Sequence, residues 1–332
     1  MKIKALALLS GGLDSILAAR AVQEQGVETI GLFAVTNFGV GKSMRSADLV
    51  ERAAQSAGVR LERIDISDDF LAMLKRPRFG FGSQMNPCID CKILMLQKAK
   101  QLLDRFGASF VITGEVLGQR PMSQHRKALE LIEKQSGLEG LLLRPLSAKL
   151  LPETVPEKSG WVERSKLYDF SGRSRKAQIL LAEQFGIKEY PNAAGGCLLT
   201  ERDFVRRLKD LGTHNEVNKD NISLLKVGRH FRFGQAKLIV SRNEHECNEL
   251  MRLAKPEDYL FLPDDEMAGP TALGRGNFDD ALIRRACEIT LGYCDLDKCN
   301  SRTIILKRCG ADETRRIDCH PMERAAIAEL RI

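Results

Sequence analysis

The feature that most constrains this chain is the string Ser10-Gly11-Gly12-Leu13-Asp14-Ser15, set between the apolar run Ala5-Leu6-Ala7-Leu8-Leu9 and the helical stretch Ile16-Leu17-Ala18-Ala19-Arg20-Ala21-Val22. A buried strand enters a glycine turn and leaves as a helix. Two consecutive glycines let the backbone approach a ligand with no Cβ in the way, and the free N–H groups of the helix start face that ligand. Such a turn holds an anion, most often phosphate. Ser10 and Ser15 add hydroxyl donors, whereas Asp14 repels phosphate and is explained as a ligand or outer-shell partner of Mg²⁺. The implied ligand is a nucleotide with its metal. An ordinary strand-to-helix turn with a serine cap explains a Gly-Gly pair, but not the whole string.

A chain of 332 residues, 43% hydrophobic and 29% charged, is long enough for two globular domains. No run reaches the length of a membrane span. The apolar stretch before the glycine loop is too short for a signal peptide and has no small-residue cleavage site after it, so a cytoplasmic protein with no membrane contact is expected. Nine cysteines in such a chain read as reduced thiols, metal ligands or redox groups rather than a disulfide framework. The net charge is +7, and because residues 201–332 hold 23 basic and 23 acidic side chains, the whole excess lies in residues 1–200. From Gly118 to Lys176 basic residues outnumber acidic ones, and Arg120, Arg173, Arg175 and Lys176 are candidate contacts to RNA phosphates.

Apolar strands at 29–35, 61–66, 108–113 and 141–146 alternate with helices at 46–57, the first opened by a serine cap, and 91–106. This alternation predicts an α/β fold, a doubly wound parallel sheet with its ligand at the carboxyl ends of the strands. A loop rich in proline, glycine and serine then runs to Arg175, expected to be mobile or to await substrate. Near Glu201 the pattern changes to a charged helix at 201–211. Short strands at 229–233 and 237–240, helices at 244–254 and 279–291, and a hairpin at 303–308 and 314–318 follow. The expected division is a nucleotide-binding domain 1–200, a connector 201–224, and a smaller α+β domain 225–332.

Directly after the 108–113 strand stands Thr113-Gly114-Glu115-Val116-Leu117-Gly118-Gln119, followed by Ser123-Gln124. The glycine string at residue 10 is neither a Walker loop nor a dinucleotide fingerprint. It resembles the SGGxDS loop of the PP-loop ATP pyrophosphatases, and the second segment resembles the TGExLGQ…SQ stretch of tRNA 4-thiouridine synthases. The resemblance implies that Ser10, Gly11, Gly12, Asp14 and Ser15 grip the pyrophosphate of ATP with Mg²⁺, and that AMP passes to a carbonyl oxygen. Thr113, Gly114 and Gln119 are then expected near the adenine and ribose, with Gln119, Ser123 and Gln124 available to a substrate base.

Cys88 and Cys91 stand three residues apart at a helix start after Asn86-Pro87, and Cys197 follows Gly195-Gly196 at the end of the same domain. In the thiolase families that the chain resembles, cysteines in matching segments carry a persulfide or ligate an iron–sulfur cluster. Three thiols can hold three irons of a 4Fe-4S cluster and leave the fourth open. Alternatively, Cys197 carries a persulfide and Cys88 or Cys91 resolves it as a disulfide; a zinc site completed by Asp90 or a histidine is the third option. Cys287, Cys294, Cys299, Cys309 and Cys319 match no metal spacing and read as small hydrophobes, with Cys309 and Cys319 flanking the hairpin as the pair to check for metal.

The stretch Lys237 to Glu244, with Asn248-Glu249-Leu250, Lys255-Pro256-Glu257-Asp258, Ala268-Gly269-Pro270 and the helix ending at Tyr293, resembles the NFACT-R domain, which is regarded as RNA-binding. Arg229 and Arg242, with Arg232, Arg275, Arg284 and Arg285, are its candidate phosphate contacts. A stabilising appendage or a homodimer contact is the alternative role. The expected function is ATP-dependent tRNA thiolation: adenylation of a uridine carbonyl oxygen, then sulfur insertion. With no rhodanese-like region evident, sulfur is expected from free sulfide or a donor protein of the cysteine desulfurase type. A PP-loop ligase with a non-sulfur nucleophile, or a non-catalytic RNA- or ribosome-associated factor, are the alternatives.

Overall fold

A computed structural model describes residues 2–36, 38, 45–190, 197–295, 302–311 and 313–332, with side chains from residue 50 onward in the helix that begins at Arg45. The chain divides into two compact units, Met1–Glu201 and Arg202–Ile332.

The first unit is built on a five-stranded sheet of β1 (Lys4–Leu8), β2 (Glu28–Val35), β3 (Arg60–Asp65), β4 (Phe110–Thr113) and β5 (Leu142–Leu143), in the order β3-β2-β1-β4-β5. Every pairing is parallel. Both sheet faces are covered, which is why β1 and β4 read as continuous apolar runs instead of alternating. Ala5, Ala7, Phe110 and Ile112 pack against α1 (Leu13–Gln23), α2 (Arg45–Ala57) and the later α7 (Lys176–Gln184). Leu32, Val111 and Leu142 face α4 (Cys88–Phe106) and α5 (Arg126–Ser136). Burial of each large aliphatic side chain contributes roughly 1.5–3 kcal/mol. The chain leaves β1 toward β2 on one side and later places β4 on its other side, so the strand order reverses between β1 and β4. That crevice, at the carboxyl ends of the strands, is where ligands of such sheets bind.

The predicted strand at 141–146 is only two residues long. The loop beyond it is packed: Leu146, Ala148, Val162 and Leu167 are buried in the main core. Its short helix α6 (Val155–Lys158) is closed by a capping box between Thr154 and Glu157. Helices α3 (Ser67–Lys75), α5 and α7 were not predicted.

The second unit carries a six-stranded sheet, β11-β10-β8-β9-β7-β6. Its strands are β6 (Arg229–Phe233), β7 (Ala236–Val240), β8 (Tyr259–Pro263), β9 (Ala272–Arg275), β10 (Thr303–Arg308) and β11 (Thr314–Asp318), all antiparallel. Its helices are α8 (Arg202–Thr213), α9 (Lys219–Leu224), α10 (Glu244–Leu253), α11 (Asp280–Leu291) and α12 (Arg324–Glu329). Residues 202–224, expected as a connector, are part of this unit. Phe204, Val205, Leu208 and Leu211 are buried, and Asp210 on α8 meets Arg232 Nη2 at 2.7 Å and Lys237 Nζ at 3.2 Å. Cys287, Cys294 and Cys319 lie in the core of this unit, as expected of small hydrophobes, and Cys309 is half-buried; Cys299 lies outside the described residues. Among the described residues no helix is long and apolar enough to cross a membrane.

Candidate active site

The loop at residue 10 closes on itself. Gly11 takes φ +78°, a conformation that glycine alone adopts without strain, and its α-carbon faces Val50. Ser15 is buried, and its hydroxyl donates to the Gly12 carbonyl at 2.7 Å. The Ser10 hydroxyl accepts from the Gly12 N–H at 3.4 Å. Ser15 therefore shapes the turn, while exposed Ser10 lies at its rim. Helix α1 starts at Gly12 with no side-chain cap, so first-turn N–H groups are left for an anion.

Gly114 presses on this loop from β4. A Cβ there would lie 2.4 Å from the Asp14 carbonyl carbon and 2.5 Å from the Ser15 nitrogen. Its place in the site is thus close backbone approach between the two loops. Thr113, expected beside the nucleotide, is instead buried, with its hydroxyl donating to Glu115 Oε2 at 3.1 Å. The same Glu115 oxygen accepts from Arg144 Nε at 3.1 Å, and Arg144 reaches Glu133 at 2.7 Å. Burial alone would raise the Glu115 carboxyl, but the charges of Lys92 and Arg144, with hydrogen bonds from Arg144 and Thr113, hold it below its usual range. This buried network fixes the end of β4.

Asp14 sits in the crevice between the loops. Gln119 Nε2 donates to its Oδ2 at 2.8 Å, and Gln178 Nε2 donates to Gln119 Oε1 at 3.4 Å. Burial raises the Asp14 carboxyl above its usual range, against the Gln119 hydrogen bond and the charges of Arg175 and Arg120. Asp14 Oδ1, Arg175 Nε and Gln178 Oε1 are all buried with no hydrogen-bond partner. Orphaned polar atoms of this kind call for a ligand, ion or water. An anionic carboxylate oxygen without a partner fits a hard divalent cation such as Mg²⁺, and the arginine and helix start fit the phosphates that such a cation accompanies.

The three thiols lie within electrostatic range of one another. Burial pushes Cys91 up to about 12; Lys92 opposes the rise, and Cys197, Cys88 and Asp90 add to it. Burial also raises Cys197, helped by Cys88 and opposed by a backbone hydrogen bond at Leu199 and the charge of Arg120. Arg120 thus acts on Asp14 and Cys197 alike. The Met85 N–H donates to the Leu199 carbonyl at 3.2 Å, tying the approach to α4 to the Cys197 segment. The glycine pair Gly195-Gly196 lies outside the described residues. Asp90, one fourth ligand considered for zinc, is otherwise engaged: its two oxygens accept backbone hydrogen bonds, from Arg78 at 2.9 Å and Phe79 at 3.0 Å. No group of three His, Cys, Asp or Glu residues among those described surrounds a single-ion position, at the Cys309 and Cys319 pair or elsewhere.

Of the side chains expected to meet RNA, Arg120, Arg173 and Lys176 are exposed and Arg175 is half-buried toward Asp14. Ser123 and Gln124 are buried at 2% and 5% exposure, because the turn folds inward with the Gly118 N–H on the Gln124 carbonyl at 2.7 Å. They are not available to a base in this conformation. In the second unit Arg229 stacks over the Tyr293 ring, with Nη1 on the Ser241 carbonyl at 2.8 Å. Exposed Arg242 is paired with Glu246. Arg232 and Arg275 are ion-pair partners of Asp210, Glu216 and Asp258, a role that spacing could not reveal.

Residues 1–149 match the model of the family described as thiamine biosynthesis protein (ThiI), and residues 228–331 that of the NFACT protein RNA binding domain. The first unit is similar to the ThiI family over most of its length. The chain is 32% identical over 260 residues to the tRNA sulfurtransferase of Serratia proteamaculans, covering 76% of this chain and 52% of that protein. It is 28% identical over 166 residues to the probable tRNA sulfurtransferase of Thermococcus kodakarensis, with coverages of 49% and 42%. A match to the tRNA-specific 2-thiouridylase MnmA of Sulfurimonas denitrificans is 29% identical over 121 residues, with coverages of 35% and 36%. The chain therefore spans between about a third and a half of the length of these curated relatives. The ThiI-type match includes the glycine loop, Cys88, Cys91 and the Thr113 to Gln124 turn, and the NFACT-type match includes Arg229 and Arg242.

Proposed function

We propose that this protein is an ATP-dependent RNA thiolase that acts on a uridine of tRNA. The observation that carries this reading is the crevice of the glycine loop, where Asp14 Oδ2 is held by Gln119 at 2.8 Å and Asp14 Oδ1 is buried with no hydrogen-bond partner. A thiol centre adjoining a nucleotide loop suits a reaction in which one carbon is first activated by phosphate chemistry and then meets sulfur. The names of the relatives point the same way.

A uracil carbonyl oxygen is a poor leaving group. Its attack on the α-phosphorus of ATP expels pyrophosphate and makes the oxygen part of AMP; sulfur attack on the same carbon then expels AMP. The Gly11 and Gly12 backbone, the first turn of α1 and Ser10 would hold the pyrophosphate, with fixed donors opposing the charge that develops there. Asp14 Oδ1 would take Mg²⁺, which supplies Lewis-acid neutralisation of the phosphate oxygens. Gln119 and Gln178 orient Asp14, and Arg175 supplies positive charge beside it.

Cys88, Cys91 and Cys197 form the sulfur-handling centre. They act on one another electrostatically, and burial raises both Cys91 and Cys197, so a cation joining them would favour their thiolates. A 4Fe-4S cluster held there would supply an open iron for sulfide. The persulfide route uses the same residues, with Cys197 as carrier and Cys88 or Cys91 as resolving thiol. Sulfide or a desulfurase-type protein is the source of sulfur, and the second unit would hold the RNA.

Mass spectrometry of nucleosides from total tRNA tests this. A deletion strain is expected to lose one thiolated nucleoside, restored by the wild-type gene but not by Asp14→Ala or Cys197→Ala. An unchanged profile, with no redundant thiolase present, overturns the reading. Restoration by a variant lacking all three cysteines would favour a PP-loop ligase with another nucleophile.

A further inference from the structure

Residues 75–87 run from the end of α3 to the start of α4 and contain Lys75, Arg76 and Arg78, with Phe79 before Gly80, Phe81 between Gly80 and Gly82, and no acidic residue. The loop is firmly built. Asp90 fixes the backbone at Arg78 and Phe79 through its two oxygens. The Gly82 N–H donates to the Asn86 carbonyl at 2.9 Å, and the Gln84 N–H to Asn86 Oδ1 at 3.1 Å. Gly82 lies so close to Asn86 and Met122 that a Cβ there would fall 2.3 Å from the Asn86 amide nitrogen and 2.9 Å from the Met122 sulfur. Asn86 Nδ2 in turn sits 3.3 Å from Cys88 Sγ.

Phe79 packs against the core, and the Arg78 guanidinium lies over its ring at 5.2 Å. Phe81 does the opposite. It is 42% exposed, on a fastened loop, next to the glycine that touches the side chain contacting Cys88. Arg76, on the same loop, is exposed as well.

We infer that residues 75–87 are a landing surface for unpaired RNA bases at the rim of the thiol centre, with the Phe81 ring as the stacking face and Arg76 and Arg78 on the flanking phosphates. This rests on the RNA-thiolase reading above. An aromatic ring stacks on any base because every base has a π face, and cations alongside it track the backbone. A loop of three cations with no acid suits a polyanion better than a protein surface, which would offer both signs of charge. Guanidinium groups already ordered by neighbours, as Arg78 is by Phe79 and by Gln135 at 2.8 Å, lose little freedom on binding phosphate.

The test uses the full chain and bulk tRNA from the deletion strain, with ATP affinity measured in parallel. Phe81→Ala is expected to weaken tRNA binding roughly thirty-fold, the middle of the range for loss of one base–aromatic stack, with ATP affinity unchanged and binding rescued by Phe81→Tyr. Phe81→Trp is expected to keep the affinity, and its added indole emission should be quenched by tRNA but not by an RNA duplex. Arg76→Ala should lower the slope of log affinity against log salt by about one phosphate contact, near 0.7. Wild-type protein that binds no tRNA sinks both readings. Equally tight binding by wild type and Phe81→Ala, together with an emission from Phe81→Trp that does not change when tRNA is added, sinks this inference alone. So does a Phe81→Ala variant that binds tRNA normally and fails only when sulfur comes from a desulfurase protein, since the surface then serves a protein.

Discussion

Replacing Asp14 by asparagine is expected to make the free protein more stable while abolishing its chemistry. The side chain has one oxygen held by Gln119 at 2.8 Å and one buried with no partner, and burial raises its carboxyl above 3.8. The sign follows from linkage. Between the unfolded value near 3.8 and the higher folded value, the folded chain keeps a proton that the unfolded chain has lost, so stability falls as pH rises through that window and the cost is complete above it. An unpaired buried polar group costs about 1–3 kcal/mol, more when charged. Because asparagine leaves its own amide nitrogen in the same pocket, the lower half of that range applies. For a domain of this size each kcal/mol moves the midpoint by roughly 2–4 °C. Asp14→Asn should therefore raise the melting temperature of the first unit at pH 7 by about 2–8 °C, with the difference shrinking as pH approaches 4. Saturating Mg·ATP should reverse the order: a ligand at 100 times its Kd adds about 2.7 kcal/mol, which the variant would largely forgo. Thermal unfolding by circular dichroism at pH 7 and pH 4.5, with and without Mg·ATP, measures all four cases. A ligand-free Asp14→Asn protein that melts below wild type at pH 7 would refute the reasoning, because the carboxylate would then be a structural partner and not a vacant ligand.

Gly114→Ala places a methyl group against the backbone of Asp14 and Ser15, neighbours that cannot rotate away. It should lower stability by about 1–3 kcal/mol in urea titrations and reduce pyrophosphate release at least about 100-fold by moving the loop; wild-type turnover in this variant would show that the two loops do not need their close approach. Cys91, held up to about 12 by burial, should be alkylated by iodoacetamide at pH 8 on the order of 10³ times more slowly than a free cysteine, rising about tenfold per pH unit to pH 10. Peptide mass spectrometry reads the rate, and labelling at the speed of a free thiol would contradict the burial of that site.

Much of this protein is written locally. The hairpin of β10 and β11 occupies the same residues in sequence and structure, because alternation and turn chemistry act over a few positions. The glycine loop between β1 and α1, the cysteines at the start of α4, and the second turn after β4 were legible for the same reason. Short strands such as β8 and β9, and helices α3, α5 and α7, carry too few periodic positions to stand out. The loop of residues 75–87 went unread as a site, although its alternation of arginine, phenylalanine and glycine was a visible signal.

What the tertiary structure decided is the partner of each polar group. Gln119 reaches Asp14 across 105 positions, Arg232 is taken up by Asp210 and Glu216, and the Thr113 hydroxyl is directed to Glu115. A hydrogen bond or ion pair forms wherever two complementary atoms are brought within about 3 Å, and sequence spacing is blind to that distance. The sequence by itself determined which turns face a phosphate and which thiols are paired on a helix start. Only the fold brought Gln119 to Asp14 and Gln178 to Gln119, since the three belong to segments far apart in the sequence.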